Sequence, residues 1–306
     1  MSTTPHIFTF TGNLLAEHTL EFDAWSPGGT QRARAEAFQV GGKGINVSKM
    51  LTRLGAANTA LCFAGGDSGA VCETWLGAKS FSFRTFSTSR PTRRGNVVRD
   101  LSGAYRETTF FSPDVAPDAK AIRDCVDFLT AQPTGSVLAI CGSLPGWDSI
   151  DFEPLRDLLR RWPERGSLVV DTYGPPLAWF VERAAALIRI NRRELETLFT
   201  PAEQKLSSGE LLLQLRDRSA TLRWAVTDGP GPIWFVADHK DPEMIKGPVV
   251  REVSATGSGD VMLACTLHAR FHRGLSWRDA VAWSLPYAAA NAGHPGVAEF
   301  PDPIGE

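Results

Sequence analysis

Short runs of Val, Ile, Leu and Phe recur along the chain and alternate with longer segments whose apolar residues return every three or four positions. An apolar run of about four to eight residues fits a strand buried on both faces, and the three-to-four spacing fits a helix with one face on a core. Strands are therefore predicted at 6–11, 58–64, 136–141, 167–171, 187–190, 223–227 and 232–237. Helices are predicted at 45–54, 68–77, 118–131, 151–162, 175–185, 192–199, 207–219, 258–272 and 276–292. Strand–helix alternation over most of the length predicts an α/β protein with a mostly parallel sheet.

Two stretches break the alternation. Residues 14–39 and 92–112 show no helical spacing, alternate polar with apolar, and carry Arg32, Arg34, Arg93, Arg94, Arg99 and Arg106. They read as antiparallel strands forming a small sheet apart from the main one. Such a basic sheet either covers an anionic substrate or is an ordinary solvated strand surface, and the pattern leaves both open. No repeat, low-complexity tract or linker marks a boundary, so residues 1–306 read as a single domain.

Composition narrows the classes. A chain of 306 residues with 43% hydrophobic content can bury a large core, and a net charge of −2 lacks the basic excess of a nucleic-acid surface. No stretch approaches the roughly 18 uninterrupted apolar residues of a membrane span. The start, Met-Ser-Thr-Thr-Pro-His, is too polar for a secretory signal. Five widely spaced cysteines in mostly apolar segments read as reduced thiols of a cytoplasmic protein. The six histidines show no metal spacing and receive no role.

Two glycine-rich motifs carry the chemistry. Gly257-Ser258-Gly259-Asp260 runs straight into an apolar helix, Val261 to Phe271. The first amides of a helix lack intrahelical partners and sit at the positive end of its dipole, and glycines let an anion approach the backbone. Asp260 is then either a helix cap or a base beside a phosphate cradle. The second motif, Gly41-Gly42-Lys43-Gly44-Ile45-Asn46-Val47, opens a helix that Gly55 ends. It is a substrate loop or a tight turn with a surface lysine; it is not the Gly-x-x-x-x-Gly-Lys-Ser/Thr phosphate loop, and no dinucleotide Gly-x-Gly-x-x-Gly follows the first strand. Ligands of open α/β sheets gather at the carboxyl ends of strands. Those ends carry Gly142-Ser143, Asp171, Asn191 with Glu194, and Thr227-Asp228-Gly229. Singly each reads as a turn or a cap; together they outline one crevice.

These residues resemble the PfkB, or ribokinase-like, carbohydrate kinases. Gly41 to Gly55 matches that family's first signature and Ala255 to Ala264 its second, in the correct order and over essentially the whole chain. Thr11 to Glu17, Gln31-Arg32-Ala33, Thr92-Arg93 before Asn96-Val97, and Cys141 to Gly146 look like the branch that holds 1-phosphofructokinases and tagatose-6-phosphate kinases.

The resemblance implies a three-layer fold with a small β-sheet lid made of 14–39 and 92–112. It implies ATP and Mg²⁺, a phosphosugar substrate, and a homodimer formed through the lid, with neither nucleic acid nor membrane as partner. Asp260 would be the catalytic base, and the amides of Gly257, Ser258 and Gly259 the anion hole. Glu17, Arg32, Gly41, Gly42, Lys43, Asn46 and Arg93 would hold the sugar and its phosphate. Arg189, Asn191, Glu194, Thr227 and Gly229 would face the nucleotide, Glu194 touching Mg²⁺ through water. The departures fall mainly on the substrate side: Glu17 stands for an aspartate, Leu14 for a proline, and Arg189-Ile190-Asn191 for Lys-Pro-Asn. Arg94-Gly95 adds a residue before Asn96, and no Pro-Gly follows Glu107. Three functions are thus weighed: a phosphosugar kinase yielding a bisphosphate, a kinase of a neutral sugar or nucleoside, and a sugar-phosphate-binding regulator without catalysis.

Overall fold

A computed structural model describes residues 4–103 and 107–303; Arg106 and the first three residues of the polar start lie outside the described residues. The chain runs β1 (Ile7–Thr11), β2 (Leu15–Phe22), β3 (Ala35–Gly41), α1 (Lys43–Arg53), β4 (Asn58–Ala64), α2 (Gly66–Ala78) and β5 (Phe83–Ser87). It continues through β6 (Arg93–Asp100), β7 (Thr108–Phe111), α3 (Ala119–Thr130), β8 (Val137–Cys141), α4 (Glu153–Arg161), β9 (Ser167–Asp171) and α5 (Pro175–Val181). Then come β10 (Leu187–Asn191), α6 (Arg192–Glu196), α7 (Ser208–Arg218), β11 (Arg223–Thr227), β12 (Ile233–Ala237), β13 (Glu243–Ile245), α8 (Ser258–Phe271) and α9 (Trp277–Ala292).

Nine strands make the main sheet in the order β13-β12-β11-β10-β9-β8-β1-β4-β5. All pairs from β11 to β5 are parallel, and β12 and β13 extend the edge as antiparallel neighbours. The strands at its centre are mostly apolar and buried because both faces are covered. Alternation sorts their side chains. Phe8, Phe10, Leu138, Ile140, Val170, Ile188 and Trp224 meet α3, α4, α5 and α7 on one face. Ile7, Val137, Ala139, Val169, Leu187 and Ala225 meet α1, α8 and α9 on the other. Each such Leu, Ile or Phe contributes roughly 1.5–3 kcal/mol through burial.

β5 and β13 were not evident from the pattern. Both are short edge strands whose exposed positions interrupt the apolar run. The hairpin β12–β13 likewise departs from the parallel scheme, because the connection to β12 is too short for a crossover helix.

The small sheet has the order β3-β2-β6-β7. β2–β3 and β6–β7 are antiparallel hairpins, as expected, but β2 and β6 pair in parallel. The reason is topological. β2 leaves the carboxyl end of β1 and β6 leaves that of β5, and β1 and β5 run the same way in the main sheet. Leu14, Ala16, Val40 and Ile45 seat the near end of this sheet on Ala60, Cys62, Cys72 and Leu76 of β4 and α2. All five cysteines are free and buried. Among the described residues no helix is long and apolar enough to cross a membrane.

Candidate active site

The start of α8 leaves its amides without a side-chain cap, although the Ser258 amide donates to the Ala255 carbonyl at 3.2 Å. Gly257 precedes the helix at φ 74°, a left-handed conformation that glycine tolerates, and a Cβ there would lie 2.6 Å from Val297 Cγ1. Asn291 of α9 donates to the Thr256 carbonyl at 3.0 Å and to Ser258 Oγ at 3.1 Å, while its own carbonyl accepts from the Ala298 amide at 2.9 Å. The loop is pinned from behind. No side chain caps the helix. Asp260 therefore does not cap: its Oδ2 turns away and accepts from Asn46 Nδ2 at 2.8 Å.

Asn46 comes from α1, whose first turn presses onto β1. A Cβ on Gly44 would clash with Thr11 Oγ1 and lie 3.0 Å from the Phe10 carbonyl carbon, so only glycine permits this approach. Lys43 at the head of α1 extends its ammonium to Asp171 Oδ1 at 2.7 Å and Glu194 Oε1 at 3.1 Å. It also lies 5.5 Å from the centre of the Tyr173 ring. Expected on the sugar, Lys43 lines the cleft and also reaches the strand-end carboxylates.

Asp171 is the hub of that side. Its second oxygen accepts from Arg189 Nη1 at 2.9 Å, and Arg189 Nη2 reaches Thr227 Oγ1 at 3.1 Å. The Arg189 guanidinium presents its two Nη atoms to Gly259; a Cβ there would sit 2.6 Å from Arg189 Cζ, with both Nη atoms nearer still. Asn191 and Glu194 form a capping box on α6: Asn191 Oδ1 accepts from the Glu194 amide and Glu194 Oε2 from the Asn191 amide, each at 2.9 Å. Gly229 turns the chain after β11 at φ 54°.

These contacts divide the three carboxylates. Burial opposes charge on Asp171, yet Lys43 and Arg189 hold its carboxyl below the usual range. Burial likewise opposes charge on Lys43, and Asp171 and Glu194 override it, so the ammonium is held well above its ordinary value. Asp260 is different. Burial pushes it up to about 7, Asp171 adds to the rise, and Lys43 and Asn46 only partly oppose it. A buried carboxyl poised near neutrality at a helix start without a side-chain cap suits proton abstraction.

Beyond Lys43 opens a cleft of about 270 Å³, lined in part by Asn13, Gly42, Arg93, Ser143 and Tyr173. Asn13 donates to Ser143 Oγ at 2.9 Å and to Asp114 Oδ1 at 2.8 Å. Arg93 pairs with the same Asp114 oxygen at 3.0 Å. Glu17 accepts from Gln39 Nε2 and stands over Gly41, whose absent Cβ would be 3.1 Å from Glu17 Oε2. Burial raises the Glu17 carboxyl above its ordinary value, with Gln39 opposing.

Arg32 is not brought to this cleft. It is exposed in the connection between β2 and β3, beyond Phe22, and the cleft lies at the opposite, Leu15 end of β2. Seven residues of strand separate the two ends, roughly 20 Å. The other expected residues converge. Asn13, Asp114 and Tyr173 were not foreseen, and Asp171 had been marked only by its strand-end position. Asn13 lay within a motif already noted; Asp114, in an irregular segment, gave no signal.

Residues 14–304 match the pfkB family carbohydrate kinases. The chain is 28% identical over 301 residues to the ATP-dependent 6-phosphofructokinase isozyme 2 of Mycobacterium tuberculosis, covering 96% of this chain and 86% of the relative. It is 25% identical over 299 residues to the 1-phosphofructokinase of Borreliella burgdorferi, covering 97% and 94%. The structure superposes on Escherichia coli phosphofructokinase-2 in complex with fructose-6-phosphate with a TM-score of 0.82 at 22% identity, covering 94% of each chain. The architecture is the ribokinase-like α/β fold.

Proposed function

Because the chain belongs to the pfkB family of carbohydrate kinases, we propose that it transfers the γ-phosphate of ATP to a hydroxyl of a ketose phosphate, giving a sugar bisphosphate. One observation carries the reading: Asp260, buried with its pKa near 7, sits at an uncapped helix start whose amides have no side-chain partner. Among the described residues no cation pairs with it directly: Lys43 is held by Asp171 and Glu194, and Arg189 by Asp171.

In this reading Asp260 takes the proton of the attacking hydroxyl, with Asn46 holding the acceptor oxygen in place. The amides of Gly257, Ser258 and Gly259 take up charge building on the transferred phosphoryl group. Lys43, among the described residues the one cation that both lines the cleft and touches the strand-end carboxylates, bridges sugar and nucleotide. Thr227, Gly229, Asn191 and Arg189 form the nucleotide side. Mg²⁺ keeps most of its waters and takes few protein ligands, and Glu194, a carboxylate whose Oε1 meets the Lys43 ammonium and whose Oε2 accepts from the Asn191 amide, fits as its water-mediated partner; the ion would neutralise phosphate charge. Glu17, Gly41, Gly42 and Arg93 face the sugar, and the small sheet acts as a lid that excludes water.

A homodimer through that sheet is supported by the exposed Phe110 and Phe111 of β7. Five buried free thiols support a reducing, cytoplasmic setting. A second reading, a kinase of a neutral sugar, is favoured by the Arg93–Asp114 pair, since that arginine already has an anion.

ATP turnover followed through ADP release, with Mg²⁺, against fructose 1-phosphate, fructose 6-phosphate, tagatose 6-phosphate, fructose, ribose and adenosine tests both. Asp260→Asn serves as the blank. Turnover confined to phosphorylated ketoses supports the first reading, and turnover confined to the neutral compounds replaces it with the second.

A further inference from the structure

One carboxylate bonded to residues of the cleft has no place in that mechanism. Asp114 lies in the irregular segment between β7 and α3, flanked by Pro113 and by Pro117 three residues on. The sheet's last tie before it is the Ser112 amide on the Arg94 carbonyl, at 2.8 Å. Its Oδ1 accepts from Arg93 Nη1 at 3.0 Å and from Asn13 Nδ2 at 2.8 Å. Both donors line the cleft, and both are set in the fold. Asn13 is buried, and its amide nitrogen is fixed a second time by Ser143. The Arg93 side chain is 13% exposed, its ring neighbour is Phe111 at 4.9 Å, and its buried Nε has no partner. Asp114 is the loose member, with its side chain 55% exposed.

A guanidinium this enclosed is costly without an anion, and it binds a carboxylate and a phosphate by the same fork of N–H donors. An ion pair with one half-exposed partner adds little net stability, because water accepts that carboxylate readily. Asp114 is therefore suited to give way to a stronger anion, while Arg93 and Asn13 stay where they are.

We propose that Asp114 is a specificity-determining residue: its carboxylate competes with the phosphate of the substrate for Arg93 and Asn13, and so sets how strongly the cleft prefers phosphorylated over neutral sugars. This rests on the reading of Arg93 as a phosphate contact. An anion held two hydrogen bonds deep lowers phosphosugar affinity, whereas a neutral sugar leaves the pair intact and is unaffected by it. The sign of the effect is its signature. Removing a residue that merely positions Arg93 weakens binding; removing a competitor strengthens it.

The test uses the whole chain with Asp114→Asn, Asp114→Ala, Asp114→Glu and Arg93→Ala, melting temperatures being recorded for each. Inorganic phosphate, as a competitive inhibitor against the sugar, is the second probe. Asp114→Asn and Asp114→Ala are expected to lower KM for the phosphosugar about 3- to 10-fold and to tighten inhibition by inorganic phosphate by a similar factor, in line with losing one opposing charge near the phosphate. KM for ATP stays unchanged, and Asp114→Glu remains close to the parent. Unchanged or raised KM in both neutral variants, with Arg93→Ala raising KM at least tenfold, overturns the competition alone. An Arg93→Ala that leaves KM for the phosphosugar unchanged overturns it together with the reading of Arg93 beneath it.

Discussion

Asn46 on α1 and Asp260 on α8 stand 214 positions apart, and the 2.8 Å bond between them is the one hydrogen bond to the Asp260 side chain among the described residues. Two helix starts from opposite ends of the chain are thereby locked to a common point. The bond stabilises the ionised carboxylate and opposes the rise that burial imposes.

Activity should follow that balance. With Asp260 near 7, kcat rises with pH through neutrality as the base loses its proton. Asn46→Leu removes a group that lowers this pKa and shifts the acid limb upward. Asp260→Asn is expected to reduce kcat by about 10²–10⁴-fold with ATP binding retained. A pH profile flat from 6 to 8, or a mild loss in Asp260→Asn, removes Asp260 from the proton transfer.

The same shift predicts a stability gain from the dead variant. Between about 3.9, where an unfolded aspartate titrates, and about 7, the folded chain binds a proton that the unfolded chain has released, so stability falls as pH rises. Asp260→Asn avoids this. Its Tm should exceed that of the parent at pH 8 and converge with it toward pH 4, as differential scanning calorimetry will show.

Asp171 predicts the opposite. Its pKa is held low by Lys43 and Arg189, so its contribution is present above about 3.9 and fades as pH falls below that. Asp171→Asn leaves Lys43 and Arg189 facing each other with their main anion gone, a loss of about 3–5 kcal/mol. Denaturant unfolding at pH 7 measures it, and a loss confined to kcat would mean the pair is not structural.

Gly259→Ala pushes a methyl into the Arg189 guanidinium rather than into a ligand. It should inactivate the protein, and Arg189→Lys in the same chain, lacking the planar fork, should restore part of the rate. If the double variant is no better than the single one, the clash is elsewhere.

The small sheet is latched to the loop before α8. Arg99 holds Glu107 at 2.8 Å and the Pro295 carbonyl at 2.7 Å, and Glu107 accepts from Thr256 Oγ1 at 3.1 Å. Glu107→Ala should loosen water exclusion and raise sugar-independent ATP hydrolysis several-fold relative to kinase turnover. Equal ratios in variant and parent would show that the latch has no part in excluding water.

What was legible in the sequence divides along physical lines. The main sheet and its helices follow from burial, since a strand covered on both faces and a helix covered on one leave distinct spacings. The edge strands β5 and β13 bury too little to leave either. Gly257, Gly259 and Asp260 could be assigned to one site because backbone chemistry requires glycine beside an anion. Asp114 and Tyr173 could not, because their positions depend on how irregular segments fold back over the sheet. Arg32 shows the limit of motif matching: its neighbours align, but the hairpin carries it to the far end of the small sheet.

In the small sheet, Leu15 is paired with Gly41 on one side and Arg93 on the other. The innermost rung is thus made of three residues at the mouth of the cleft, and Gly41 runs directly into the loop before α1. A rotation of the sheet about its seat on β4 and α2 carries Gly41 and Arg93 together. Under the proposed function, opening the cover and releasing the sugar would then be a single mechanical event, set by the stiffness of that rung.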